Sequence, residues 1–280
     1  AQLYRPSGNG NLEYLGEDAS SYASPGIYAK GNRKEANDWS DLIALSKHLS
    51  MDDPAAFLLG LESAVHQALW LKYFAMDALL ANTETSFANG GVGDYAFFIG
   101  NKDPRAILIP YDLDSILVLV VVMNHLCIRR AAAKEVPRRF LGHPLIAPLY
   151  FAELEHLSNT LFHPSRLADF VGQVLGSWTS REFVEQTVQF ALARRKEVND
   201  QIQDQLTVAV DLPFAEPAWL RYYQAPSESM SLSGSSDLIQ THRVMVAGEE
   251  ALWQPREWQW RIDGVALHPG VYENTEESID

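Results

Sequence analysis

The stretch AILIPYDLDSIL, residues 106–117, runs apolar into two aspartates, Asp112 and Asp114, and then turns apolar again. A buried charge is costly unless it is paired or coordinates a metal. Two carboxylates at the end of an apolar strand therefore mark a candidate site. Upstream, YAFFI (95–99), the turn residues GNKDPR (100–105) and AILIP (106–110) predict a two-stranded hairpin that delivers the chain into Asp112. Before the hairpin comes a glycine-rich loop, TETSFANGGVGD (83–94), which carries Glu84 and ends on Asp94.

Helical patterns surround this centre. In NDWSDLIALSKHL (37–49), Asn37 or Asp38 can cap a helix whose face is Trp39, Leu42, Ile43, Leu45, Ser46 and Leu49. In residues 51–82, Asp53-Pro54 opens a helix, and Leu58, Leu61, Val65, Leu69 and Leu80 recur at helical spacing. The segment is apolar on more than one side, so it predicts one long, central helix. Residues 1–36, rich in Gly, Ser, Asn and Tyr, predict irregular structure with a short strand. From about 129 to 206 the pattern is helical again, with Pro137, Pro144 and Pro148 marking its approach. Helices are predicted in 149–162, 163–178 and 180–206. Past 206 a Pro- and Ser-rich stretch leads to short alternating segments, which predict a small β module. The acidic ENTEESID is expected to be a frayed end. The fold class expected is α+β, mainly helical.

Composition narrows the partners. With 22 basic and 36 acidic residues the net charge is −14, which disfavours nucleic acid and anionic membranes. A phosphate ligand stays open, because a divalent cation can supply positive charge locally. A single cysteine, Cys127, rules out an intrachain disulfide. The longest apolar run, ILVLVVVM (116–123), is about half the length of a membrane span. The polar start, without a signal peptide or initiator methionine, fits a mature product or a piece of a longer protein.

Phosphoryl transfer asks little covalent chemistry of a protein. It needs Mg²⁺ or Mn²⁺ bridging the phosphates and a carboxylate that orients or deprotonates the attacking hydroxyl. Mg²⁺ takes one or two protein carboxylates and leaves its other positions to water and phosphate. A helix, a loop with one carboxylate, a hairpin and then an acidic turn is the layout of a protein-kinase catalytic lobe.

The sequence resembles the spore coat protein H (CotH) kinases, secreted or cell-surface proteins with an atypical protein-kinase fold. The likeness covers roughly residues 3–205, from LYRPSGNGNLEYLGED through YAKGNRKEANDWSDLIAL and LWLKYFAMDALLAN to ALARRKEVNDQI. It peaks at NTETSFANGGVGDYAFFI and ILIPYDLD. The resemblance implies that Asp112 binds the metal, with Asp114 as its acidic neighbour. Asp94 stands where the family has a metal-ligating asparagine. Glu84 stands where it has a catalytic aspartate, in an Asn-x-Asp-Ser pattern that reads here Asn82-Thr83-Glu84-Thr85. It also implies ATP with Mg²⁺ or Mn²⁺, a protein substrate offering Ser or Thr hydroxyls, and a secreted or cell-surface setting. Residues 1–206 would be the catalytic-lobe portion, 207–240 a linker and 241–280 a partial β module similar to β-sandwich segments of large secreted bacterial proteins. The family carries its phosphate-holding lysine in an upstream sheet lobe. The chain is therefore expected to be the C-terminal part of a longer protein, with Lys30 and Lys34 merely leading into the helix of DWSDLI. No nucleic acid or transmembrane segment is expected, and the oligomeric state is left open.

Plainer readings stand beside these. Asp112 and Asp114 fit a strand-end turn that caps a helix, Glu84 fits a solvated loop, and Asp94 fits a turn residue opening the hairpin. No pair of histidines has ligand spacing, and His66 lies in a helical pattern. The ARRK run, 193–196, reads as a solvated helix face, and Trp253, Trp258 and Trp260 read as the core of the small module. Two other functions remain: a non-catalytic coat or surface scaffold that retains the fold, and a haloacid dehalogenase-type phosphatase. The latter places its aspartate pair early in a doubly wound parallel sheet.

Overall fold

The computed structural model describes residues 1–6, 10–23, 27–34, 37–82, 94–117, 134–202, 207–209, 229–257, 259–266 and 276–279. Strands β1 (Gln2–Pro6), β2 (Tyr28–Lys30), β3 (Tyr95–Ile99) and β4 (Ile107–Pro110) form an antiparallel sheet in the order β2-β1-β3-β4. The hairpin β3–β4 forms as its sequence predicts, with Tyr95 opposite Pro110. The first thirty residues supply two strands rather than one, and β1 is central. Its inward residues Gln2, Tyr4 and Pro6 are buried, while Arg5 between them is exposed. The Tyr4 ring stacks 5.0 Å from Phe97 and lies 5.7 Å from Trp39. Its hydroxyl donates to Asp41. Lys30 closes β2 rather than lying in irregular chain. Its ammonium donates to the Asp38 carbonyl and lies 4.8 Å over the Trp39 ring.

The helices of this part are α1 (Ala19–Tyr22), α2 (Ser40–Leu49), α3 (Pro54–Ala64), α4 (Gln67–Leu80), α5 (Glu135–Leu141), α6 (Ala147–Thr160), α7 (Pro164–Leu175) and α8 (Arg181–Gln201). Asp38 accepts from the Ser40 backbone N–H and hydroxyl at 3.1 and 2.7 Å, so it does serve the start of α2. Asp53 caps α3 through the Ala56 N–H at 3.0 Å, with Pro54 in the first turn. Pro137 falls inside α5, but in its first turn, where a missing N–H costs no helical bond.

The expected single helix over 51–82 is two. Val65 is extended, at φ −133° and ψ 155°, and bridges Ala106 in parallel. The backbone groups that leave the helix there find partners on the hairpin. His66 N–H donates to the Ala106 carbonyl at 3.0 Å, and Ala106 N–H donates to the Ala64 carbonyl at 2.9 Å. The Trp70 indole also donates to that Ala106 carbonyl, at 2.9 Å. The core therefore runs through Phe57, Leu61, Trp70, Phe74 and Leu79, while Leu69 is exposed.

The chain divides into two compact units, residues 1–143 with 149–201, and residues 144–148 with 202–280. The second unit holds two antiparallel sheets. One has the order β5-β6-β10-β9, from β5 (Thr207–Ala209), β6 (Ser229–Ser235), β9 (Leu252–Gln254) and β10 (Gln259–Ala266). The other is β11-β7-β8, from β7 (Arg243–Val246), β8 (Glu249–Glu250) and β11 (Glu276–Ile279). Residues 207–209 and 229–235, in the stretch read as a linker, are thus sheet strands. Trp260 faces Trp253 across β9 and β10, and both are buried in this unit's core; Trp258 lies outside the described residues. A Cβ on Gly234 would collide with the Thr207 carbonyl and the Trp260 ring.

Every described sheet is antiparallel, so the described residues lack the doubly wound parallel sheet that the phosphatase reading requires. Among the described residues no helix is long and apolar enough to cross a membrane.

Phe57, fully buried, lies between two histidine rings, 5.9 Å from His48 and 6.2 Å from His143. Burial holds both imidazoles below their ordinary value of 6.5. The folded state therefore favours their neutral form. That stability is complete above the unfolded value and is lost as pH falls through it toward the folded values. Between about pH 7.5 and about 5 the contribution of these two histidines is expected to fall, so wild type should lose stability relative to a variant that lacks both imidazoles, as read from the urea midpoints of the two proteins. A His48→Gln/His143→Gln variant should lose clearly less. An equal loss in both proteins would discard the explanation.

Candidate functional site

Antiparallel register brings the acidic residues together. Because Tyr95 pairs with Pro110, Asp94 and Tyr111 stand level with each other at the open end of the hairpin. Asp112 comes next, in the left-handed region at φ 54° and ψ 61°, and leads a short 3-10 turn, Leu113–Ser115, that holds Asp114. Aspartate tolerates this backbone region better than most residues, because its short polar side chain can bond locally. The Asp112 side chain makes no capping hydrogen bond to this 3-10 turn. Asp112 and Asp114 are exposed and Asp94 is half-buried. Burial raises the Asp94 carboxyl above its ordinary value, and the charges of Asp112 and Asp114 push it further, against a lowering backbone hydrogen bond. The three carboxylates thus lie within electrostatic range of one another. Glu84 lies outside the described residues, as does Cys127.

Two sets of bonds hold this end of the hairpin. The buried Tyr95 hydroxyl donates to the Gly10 carbonyl at 3.0 Å. Gly10 has no room for a side chain, since a Cβ there would come 2.7 Å from the Pro6 Cβ. On the other side, the Leu117 N–H donates to the Leu80 carbonyl at 3.0 Å, which ties the exit of the acidic turn to the last turn of α4. Helix α4 ends at Ala81, left-handed at φ 54°, and the Asn82 N–H returns to the Asp77 carbonyl at 3.2 Å. Glu84 follows two residues later in the chain.

Side chains that the sequence did not single out secure the same helix end. Arg194, read as part of a solvated face, is 3% exposed. Its Nε donates to the Ala78 carbonyl at 2.9 Å, and its Nη1 pairs with Glu197 at 2.7 Å. A cation suits a helix C-terminus, where carbonyls lack helical partners and the dipole is negative. Arg195 is likewise engaged, with Nε on the Ser158 carbonyl at 2.9 Å. Asp77 sits in the last turn of α4, where burial pushes its carboxyl from 3.8 up to about 7, against a hydrogen bond from the Asn82 side chain. On the outer side, the Arg5 guanidinium lies 4.6 Å over the Tyr111 ring.

Among the described residues no group of three or more His, Cys, Asp or Glu side chains is arranged to hold a metal ion alone. The donors at the hairpin end still fit a hard divalent cation. They are all carboxylate oxygens, and Asp94 already feels the repulsion that a cation would relieve. Such a cation takes only one or two of them and completes its coordination with water and phosphate.

Asp77 offers a test of how this helix end is built. For an acid whose folded value is raised, burial penalises the ionised form. That penalty is absent below about pH 4, grows with pH and is complete above about pH 7. Asp77→Asn keeps an acceptor for the Asn82 amide and removes the charge. The variant is expected to match wild type at low pH and to exceed it by on the order of 2 kcal/mol at pH 8. Denaturant midpoints across that range decide; a pH-independent difference would refute the account.

The family model for CotH kinase protein matches residues 1–189, which take in the four-stranded sheet, the acidic turn and helices α1 to α7. No curated protein matches the chain. With the matched span covering well over half of its 280 residues, the chain belongs to the CotH kinase family.

Proposed function

We propose that this chain is the catalytic-lobe portion of an atypical protein kinase. It would transfer the γ-phosphoryl group of ATP to Ser or Thr hydroxyls of secreted or cell-surface proteins. The observation that carries this reading is the hairpin register, which sets Asp94 level with Tyr111 at the strand end that leads into Asp112 and Asp114, in a member of a kinase family. Carboxylates gathered at one strand end and open to solvent suit a hard divalent cation that keeps most of its positions for water and phosphate.

In this reading Asp112 holds Mg²⁺ or Mn²⁺, helped by Asp94 and Asp114. When bound, the ion neutralises charge on the transferring phosphoryl group. Glu84 orients the substrate hydroxyl and accepts its proton as the oxygen bonds to the γ-phosphorus. The bond between that phosphorus and the bridging oxygen breaks, and ADP leaves with the electron pair. The hydrogen bond from Leu117 to Leu80 would hold the acidic turn to the end of α4, four residues before Glu84 in the chain.

Glu84 itself favours a second reading, a non-catalytic scaffold, because it is one methylene longer than the family's aspartate. A misplacement of about 1 Å can cost roughly 100-fold in rate. Transfer of label from γ-labelled ATP to a Ser/Thr protein in Mn²⁺ separates the two. Asp112→Asn is expected to abolish transfer and Mn²⁺-dependent nucleotide binding together. Glu84→Ala should lower kcat by about 100-fold or more while nucleotide binding persists. Unchanged transfer by Asp112→Asn would remove the proposed metal site. Nucleotide binding without any transfer, even in Glu84→Asp, would establish the scaffold.

A further inference from the structure

We propose that Arg5, held by Tyr111, positions the polyphosphate chain of the nucleotide at the acidic end of the sheet. The inference rests on reading that end as the ATP site, and it begins with strand register. Tyr4 pairs with Phe97, which sets Arg5 level with Ala96 on β3, and Ala96 pairs with Ile109 on β4. Alternation along β3 sends Tyr95, Phe97 and Ile99 to the buried face and Asp94, Ala96 and Phe98 to the other. Tyr111, two residues past Ile109, lies on that second face as well. Arg5, Asp94 and Tyr111 therefore share one face and one end of the sheet.

The Arg5 side chain crosses β3 to reach Tyr111, which lies just past the next strand. At the position level with Arg5, β3 carries the small Ala96, which leaves room for the crossing. The guanidinium arrives 4.6 Å over the Tyr111 ring, one residue before Asp112. A stacked guanidinium is held by its face, so its N–H groups point outward in a planar fork that matches two phosphate oxygens. Among the described residues Arg5 forms no ion pair, although three carboxylates gather at this end. Tyr111 is 43% exposed and Arg5 is exposed, so a ligand can reach both. A protein of net charge −14 presenting three aspartates repels a polyphosphate. Beside the cation that the aspartates would hold, Arg5 is placed to supply a fixed positive charge.

The test is calorimetric titration of the full chain with Mn²⁺, then with ATP, ADP or adenosine in saturating Mn²⁺. Arg5→Ala is expected to bind Mn²⁺ and adenosine as wild type does, and to weaken ATP about 10- to 100-fold. Arg5→Lys, a point charge without the fork, should recover only part of the loss. Tyr111→Leu, which removes the ring and keeps bulk, should weaken ATP several-fold. Far-ultraviolet circular dichroism of each variant checks that the fold persists. Wild-type and Arg5→Ala chains with equal ATP affinity would overturn the role of Arg5 and leave the nucleotide site standing. Equal losses for ATP and adenosine would also overturn it, because the contact would then not be to phosphate. A wild-type chain that binds Mn²⁺ but no ATP would overturn the nucleotide reading and this inference together.

Discussion

The backbone of Ala106 is the contact on which the first unit turns. Its N–H and carbonyl take the peptide groups that α3 and α4 give up between them, and the carbonyl accepts the Trp70 indole as well. This fixes the start of residues 106–117 to the first turn of α4. The Leu117 N–H fixes the other end of the same stretch to the last turn, at Leu80. A helix of fourteen residues spans about 21 Å. A four-residue strand and a short turn cover that distance when mostly extended. The strand and its aspartates are thus strapped along α4 at both ends, and the exit of the acidic turn stays beside the last turn of that helix.

That helix end carries charges of unequal fit. Arg194 is satisfied, because a guanidinium meets carbonyls at the negative pole of a helix. Asp77 is the opposite case, a half-buried carboxyl at the same pole, with burial opposed only by its amide neighbour among the causes that shift it. Placing both within one turn of the site gives this region a polar interior. Nothing in helix propensity asks for that arrangement.

The parts of this structure that were legible are those written locally. The hairpin, the Asp53-Pro54 start of α3 and the three long downstream helices follow from short-range pattern and caps. The break at Val65 was not, because no Gly or Pro marks it. Its cause is a pairing with Ala106, 41 residues away, that outcompetes one helical turn. Only one short strand was expected where β1 and β2 form, for the same reason, since residues of mixed polarity become strands through partners far along the chain. The acidic pair announced itself through its apolar setting, and its electrostatic link to Asp94 follows from hairpin register. Arg5 and Arg194 were invisible as site neighbours. An arginine's role depends on which carbonyl, ring or anion it meets, and a single sequence does not say.

The central place of β1 has a consequence for how the protein is made. Its two neighbours are of different ages: β2 follows within about two dozen residues, whereas β3 is 93 positions further along, from Gln2 to Tyr95. At roughly 5–20 residues per second, a ribosome needs about 5–20 s to deliver that second partner. During this interval Tyr4 has no Phe97 to stack on, and one edge of β1 offers its backbone to any strand that passes. The sheet that bears the acidic turn is therefore completed only when the hairpin emerges, and until then the β1–β2 ribbon leaves the β3 side of β1 unpaired.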